Sequence, residues 1–421
     1  MNMQMQIRRT AAEEALLAGF AERAASLPGD ARVAEKRAEA VELLKRGLPN
    51  RKIEAWHYTD LRRLLSVVPP FDPAAHAAPR AALLPGSAVL PVLNGIAGKA
   101  DVPAGIAVAS VTNELSDGTF APLLGVNGAD DAVGAINSAF AADGFAVEIP
   151  AGTALEQPIE LQNVQVGGQV HTRFAVRAGE GAKATIVERQ LGEGNALVSS
   201  VSHLEVGDGA EILWLILQEQ PESAIHLGQM NVRIGRDAKL TLFVMNAGGK
   251  LVRQELRIVA AGEGAELRLR GVNLLSGGTH CDVTMMLDHA APATTSTETI
   301  RNVVTGRAEG VFQGQIRVAR EAQKTDAKMA CNTLLLSDEG GFSTKPELEI
   351  FADDVACGHG ATVTEIEPAH LFYLMARGID EKTARGLLVK AFVAEVIEEL
   401  ENEPVVEMLE GKLDAWFAVH G

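Results

Sequence analysis

The chain has 421 residues, a formal net charge of −17, and 47% apolar, 22% charged and only 4% aromatic residues. This is ordinary globular usage over a length that allows two or three domains of roughly 100–200 residues each, so wholesale disorder is excluded. So acidic a surface repels phosphate backbones and anionic lipid, so neither nucleic acid nor a membrane surface is an expected partner.

The N-terminal Met-Asn-Met-Gln-Met-Gln-Ile-Arg-Arg-Thr has no apolar run behind its arginines and does not read as a signal peptide. The most compact apolar run, Ile212–Leu217, is far short of the ~20 residues a membrane span needs. The cysteines, Cys281, Cys331 and Cys357, are three in number and far apart, which is no disulfide framework and suggests a reducing compartment. A cytoplasmic protein is expected.

Residues 10–65 read as helical: Leu16, Leu17 and Phe20, then Val41, Leu43 and Leu44, recur at helical spacing around a Leu-Pro-Gly-Asp break at 27–30. From 69 to 103 the character changes, with 7 of the 17 prolines among short apolar pieces such as Val89–Leu93 and Ile106–Val108. Proline removes a donor and fixes φ, so this stretch reads as linker plus short strands rather than long helix or central strand.

The middle of the chain repeats. Gly179-Glu-Gly-Ala182, Gly207-Asp-Gly-Ala210, Gly235-Arg-Asp-Ala238 and Gly262-Glu-Gly-Ala265 recur at spacings of 28, 28 and 27. Aliphatic residues precede each turn (Val176, Leu204, Val232, Val259), and alternating ones follow it, such as Ile212/Trp214 and Leu240/Leu242. This is strand, glycine turn, strand, at a period that predicts a stacked β-solenoid, because one unit alone cannot bury its apolar side. The alternative is four similar hairpins of a sandwich. The next glycine turn, Val304–Gly310, is out of register, which an insertion around 271–300 would explain. After 365 the pattern is helical again: Pro368 suits a first turn, Asp380 can cap the next helix, and Leu388, Val389, Phe392, Val393, Val396, Ile397 and Leu400 form a broad apolar face. That face is either packed within the chain or a docking surface.

The usual catalytic motifs are missing. Gly95–Lys99 and Gly248–Lys250 lack phosphate-loop spacing, and there is no Gly-x-Ser-x-Gly, His-Glu-x-x-His or Cys-x-x-Cys. His280, Cys281 and His289 are a conceivable metal set, although His280 and Cys281 would point to opposite sides of a strand. The remaining candidate is Cys357-Gly-His359-Gly: in extended geometry thiol and imidazole share a face, and together they suit soft or borderline metals. Two ligands do not complete a site, and a buried Cys and His near a turn is the plainer alternative.

Three stretches carry a resemblance. The run Thr344-Lys-Pro-Glu-Leu-Glu-Ile-Phe-Ala-Asp-Asp-Val-Ala-Cys-Gly-His-Gly-Ala-Thr-Val363, continued by Leu371–Ile379 and Ala391-Phe392, resembles the C-terminal signature of the SufB/SufD family of iron–sulfur cluster assembly proteins. Arg51-Lys-Ile-Glu-Ala-Trp-His-Tyr-Thr59 is similar to an N-terminal element of its SufD-like branch, and Gly144–Thr153 to the family's entry into its β-helix. The cysteine that SufB-like chains carry within the segment matching Asp338–Ser343 is absent, as is their His-Glu pair at His359-Gly360, so the SufD-like branch fits better.

The resemblance implies a right-handed parallel β-helix (β-solenoid) core at 144–364, an N-terminal helical domain at 1–68, a Pro-rich linker with short strands at 69–143 and a C-terminal helical domain at 365–421. It implies a non-enzymatic scaffold that pairs with a SufB-like paralogue through the β-helix, and with the ABC-type ATPase SufC through the C-terminal helices. Cys357 and His359 are then candidate ligands of a transient iron–sulfur cluster at the paralogue interface, with no cofactor held tightly by the isolated chain. A reduced flavin accompanies the family's complex, but no flavin motif occurs here. An exposed final strand around 346–355, bearing Glu347, Glu349 and Phe351, is the expected interface strand. Phe372, Tyr373, Leu374 and Arg377 are the expected ATPase contact, and the two helical regions are expected to cover the solenoid ends. The same strand edge would also allow a homodimer. The rivals are a β-helix enzyme acting on acidic polysaccharide, with Glu347, Glu349, Asp353 and Asp354 as its carboxylates, and a free-standing homodimeric metal-storage protein.

Overall fold

A computed structural model describes residues 9–72 and 74–420. Residues 1–8, on which most of the signal-peptide reading falls, lie outside the described residues, as do Pro73 and Gly421.

Helices α1 (Ala11–Arg23) and α2 (Ala31–Lys45) start at side-chain caps: Thr10 forms a capping box with Glu13, and Asp30 accepts from the N–H groups of Arg32 and Val33. A short α3 (Leu61–Leu64) follows, then β1 (Ala88–Leu93), β2 (Ile96–Ala97), β3 (Ala107–Ser110), α4 (Val111–Ser116) and α5 (Ala132–Phe140). The segment 69–143 therefore holds helices as well as the short strands expected of it. All 9 residues of α5 are buried. Pro91 sits within β1, which pairs residue for residue with a single long strand and otherwise meets only the two residues of β2. An edge strand tolerates that missing donor.

The remaining strands are β4 (Asp143–Ile149), β5 (Ile159–Ala178), β6 (Lys183–Val206), β7 (Glu211–Gln218), β8 (Ile225–Ile234), β9 (Lys239–Asn246), β10 (Leu251–Ala260), β11 (Glu266–Leu275), β12 (His280–His289), β13 (Thr295–Val304), β14 (Glu309–Val318), β15 (Asp326–Leu335), β16 (Gly341–Ile350) and β17 (Ala356–Thr364). Beyond β6 each strand pairs in parallel with the strand two places along the chain, giving one sheet of odd-numbered and one of even-numbered strands. The long β5 and β6 run through both sheets. The result is a β-solenoid of about eight turns. Its lumen holds an apolar core: Leu240, Leu242 and Val244 of β9 belong to one buried cluster with Val252, Leu256 and Ile258 of β10.

One edge of the solenoid explains the repeat. Gly152, Gly181, Gly209, Asp237, Gly264, Ala293 and Lys324 all have φ between 53° and 71°. Each donates its N–H to a carbonyl of the next turn, as in Gly181 to Asp208 (2.8 Å) and Ala293 to Gln323 (2.8 Å). The period therefore continues without the insertion expected at 271–300. Val304–Gly310 belongs to the opposite edge, where β13 turns into β14, and the seven-member column simply lacks glycine at Asp237, Ala293 and Lys324.

Helices α6 (Pro368–Ala376), α7 (Glu381–Glu398) and α8 (Glu403–His420) close the chain. The helical regions cover the flanks of the solenoid, not its ends. Leu16, Leu44, Trp56 and Ile136 bury the outer side of the even sheet at Ile225, Leu227 and Leu251. Val389, Val393, Leu409 and Leu413 bury the outer side of the odd sheet at Phe243, Val272 and Val303. The outward residues of those strands are apolar, so each sheet needs a helical layer as much as it needs the lumen. Among the described residues no helix is long and apolar enough to cross a membrane.

Candidate functional site

The C-terminal end of the solenoid is open. β16 pairs only with β14 and β17 only with β15, so both present a free strand edge among the described residues. Burial falls off accordingly. Seven of the ten residues of β14 are buried, whereas no residue of β16 or β17 is fully buried. Ile350, Phe351 and Val363 expose 40%, 55% and 39% of their surface there.

Cys357 and His359 stand on β17, opposite Ala327 and Met329 of β15. Cys357 and Ala361 pack against the lumen cluster, so this side of the strand faces inward, and His359 between them shares it. His359 is exposed only because no further turn stacks above it. Burial pushes the half-buried Cys357 thiol above its ordinary pKa; Asp326 and Glu298 add to this, while a backbone hydrogen bond with Ala327 opposes it. Thiol and imidazole on one side of one strand fit a soft or borderline cation. Among the described residues no group of three His, Cys, Asp or Glu is placed to hold a metal, so this pair supplies two donors and no closed cage.

The expected interface strand is displaced. β16 ends at Ile350, Phe351 opens a turn, and β17 follows as the true last strand. Glu347 and Glu349 face away from the lumen, since their register partners Gln315 and Arg317 alternate with the inward Ile316 and Val318. Lys345 pairs with Glu347 (2.9 Å) and also with Glu54 (3.0 Å), so the N-terminal 51–59 segment is tied to this end of the solenoid. The Arg317 guanidinium lies 5.7 Å from the Phe351 ring centroid.

Phe372, Tyr373 and Leu374 lie on α6, none of whose residues is buried, and Arg377 caps it with its guanidinium 5.0 Å from the Tyr373 ring. Phe372 is 73% exposed and Tyr373 57%. The apolar face expected over 371–400 is thus two different things. Val389, Val393, Val396 and Ile397 of α7 are core against the solenoid, whereas α6 is an uncovered surface.

The alternative metal set disperses. His280 turns outward to the Thr59 hydroxyl (2.9 Å), Cys281 faces the lumen, and His289 is held by Thr294 and Ser296 at the far end of the strand. Burial lowers the pKa of His280, despite nearby Asp282 and Glu309, and it lowers His289 to about 4.

Two features were not foreseen. Asn163, Gln190, Gln218, Asn246, Asn273 and Asn302 share one register column along the odd sheet. Asn246 donates to Asn273 and Asn273 to Asn302 (both 2.7 Å), and Asn302 reaches Cys331 Sγ (3.3 Å) and Thr333 (3.0 Å). Amides recurring at the 27–29-residue period were the signal for it in the sequence. The second is Glu298 on β13, fully buried, in register between Leu269 and Met329 of the lumen cluster, with no hydrogen bond to either carboxylate oxygen among the described residues.

The chain matches the family model described as SUF system FeS cluster assembly, SufBD core domain, over residues 161–392, more than half its length. It is 29% identical to the iron–sulfur cluster assembly protein SufD of Escherichia coli, over 86% of this chain and 88% of that one. An iron–sulfur cluster assembly SufBD family protein of Synechocystis is 29% identical over 88% of each chain. The chloroplastic protein ABCI7 of Arabidopsis thaliana is 30% identical over 75% of this chain and 69% of its own length.

Proposed function

This chain belongs to the SufBD family of SUF-system iron–sulfur cluster assembly proteins, and from that premise we propose that it is a SufD-like, non-enzymatic scaffold subunit. Its open solenoid end docks a SufB-like paralogue, and α6 docks a SufC-like ABC-type ATPase. The observation that carries this reading is the coincidence, at one place, of two unpaired strand edges with Cys357 and His359 on the inward side of the last strand. A free parallel edge accepts a strand from another chain by main-chain hydrogen bonding. A cluster assembled across that junction is cargo. Two donors from this chain, completed by donors from the paralogue, hold it loosely enough to be passed on. Without a phosphate loop in this sequence, ATP-driven movement comes from the partner that binds α6, where Phe372, Tyr373, Leu374 and Arg377 offer an aromatic, basic surface.

Size-exclusion chromatography with light scattering tests this on the purified chain and on its mixture with the cognate paralogue and ATPase. A three-component complex is the expected result, and a homodimer of the isolated chain is compatible with it because the same edges can pair with themselves. Elution of this chain apart from both proteins would overturn the proposal.

A further inference from the structure

A carboxylate buried without a hydrogen-bond partner is expensive, because its charged form loses water and gains nothing in return. Glu298 is such a group. Alternate residues of β13 place it in the lumen with Ile300 and Val304, and neither of its oxygens has a partner among the described residues. The adjacent inward side chain, Ser296, is also engaged by His289 (3.1 Å) and offsets the burial of Glu298 only in part. No lysine or arginine occupies an inward position of β13 to β17.

The register says where such a group points. Glu298 pairs with Met329, and Met329 pairs with His359, so the three form one inward column that ends at the open turn. Strands in a sheet are about 4.8 Å apart, which places Glu298 and His359 roughly 10 Å apart with the Met329 thioether between them. Met329 reaches across the lumen to Gly314, where any β-carbon would meet its sulfur at 2.4 Å. Beside this column lies a second inward polar group, the buried Thr344 hydroxyl, next to the Cys331 thiol. Soft and hard donors thus gather at the mouth of the lumen.

We propose that Glu298 is the inner, anionic station of a divalent-cation site at the solenoid mouth, taking a first-row cation that enters through Cys357 and His359. The inference rests on the proposed reading of this end as the place where iron is handled, and adds to it the carboxyl group that gives up its proton to the cation from within. His359 and Glu298 reach a common cation over Met329 by rotating toward each other. This also accounts for the absence of a ready-made three-ligand cage among the described residues.

Titration of the full chain with Co²⁺ is the test, followed by calorimetry and by the thiolate-to-metal absorption of Cys357, alongside thermal melts. Wild type is expected to bind one Co²⁺ with that absorption, and Cys357→Ser to lose it. Glu298→Gln is expected to bind at least tenfold more weakly while melting at the same or a higher temperature. A merely structural role would lower both together. Glu298→Asp should recover part of the affinity. If Glu298→Gln binds like wild type while Cys357→Ser does not, Glu298 is idle and the scaffold reading stands. Absence of Co²⁺ binding by wild type also overturns this inference, and complex formation then judges the scaffold reading separately. Failure of both Glu298 variants to fold would make the residue structural and end the proposal.

Discussion

Arg253 lies over Trp56, its guanidinium carbon 4.3 Å from the ring centroid. The contact joins the N-terminal 51–59 segment to β10, nearly 200 positions later in the sequence. Around it, Arg253 pairs with Glu255 (3.1 Å) and with Asp282, and Asp282 also accepts from the Thr59 hydroxyl. Trp56 is fully buried and donates its Nε1–H to the Asp130 carbonyl (3.0 Å). The conspicuous Arg-Lys-x-Glu-x-Trp-x-Tyr-Thr element is thereby a clasp between the N-terminal segment and the even sheet.

Trp56→Ala should therefore destabilise the chain by about 3–5 kcal/mol, the usual cost of emptying a large aromatic site. Trp56→Phe, which keeps an aromatic face under Arg253, should recover much of it. Urea unfolding followed by circular dichroism reads both; an unchanged midpoint for Trp56→Ala would remove the clasp.

Burial raises the Glu298 pKa from 4.5 to about 8, with Ser296 and Arg270 offsetting only part of the effect. Below pH 4.5 the group is protonated in both folded and unfolded chains and costs nothing. Between pH 4.5 and 8 only the unfolded chain releases the proton, so stability is lost as pH rises and the loss levels off above 8. Glu298→Gln should match wild type near pH 4 and exceed it at pH 9 by a margin on the order of 4 kcal/mol. Parallel unfolding curves across that range would show that Glu298 is not held neutral.

At the acid end the dependence reverses. Burial lowers His171 and His203 to about 3 and His226 to about 4, with Arg23 adding to the effect on His171 and Arg173 on His203. The unfolded chain takes up these protons near pH 6.5 while the folded chain refuses them until near pH 3–4, so stability falls as pH drops through that window. His226→Gln should flatten the acid limb of the melting profile; an unaltered limb would place its cause elsewhere.

Phe372→Asp and Val393→Asp separate surface from core on neighbouring helices. Phe372 is 73% exposed, so its substitution should move stability by less than about 0.5 kcal/mol while weakening ATPase binding at least tenfold. Val393 is fully buried against the odd sheet, and its substitution should detach or unfold α7 and α8. Normal ATPase binding by a folded Phe372→Asp chain would move the contact away from α6.

The solenoid was legible because four turns keep glycine or its neighbours in one phase. It was lost to view at Ala293 and Lys324, where the same positive φ is adopted by residues that ordinarily avoid it. Those turns are held by hydrogen bonds to the following turn, Ala293 to Gln323 and Lys324 to Asp354, a tertiary cause that has no local signature. Cys357 and His359 were legible as a pair, because period 2 puts them on one side of any strand. Which side that is, and that nothing stacks above it, depends on where the solenoid stops. Glu298 was hidden for a plainer reason: in Thr295-Ser-Thr-Glu-Thr-Ile300 both faces of the strand look polar, so alternation gives no inward side. The flanking helices were recognised from their apolar faces, but the apolar outer residues of both sheets, which drew them to the flanks, were masked by continuous runs such as Ile212–Leu217.

The most direct test of the account is hydrogen–deuterium exchange of this chain with and without its SufB-like paralogue. Amides of Gly341–Ile350 and Ala356–Thr364, which border the free edges, should become protected on mixing, and those of β9 to β12 should not change. Protection confined to other strands, or none at β16 and β17, would contradict docking at the open end.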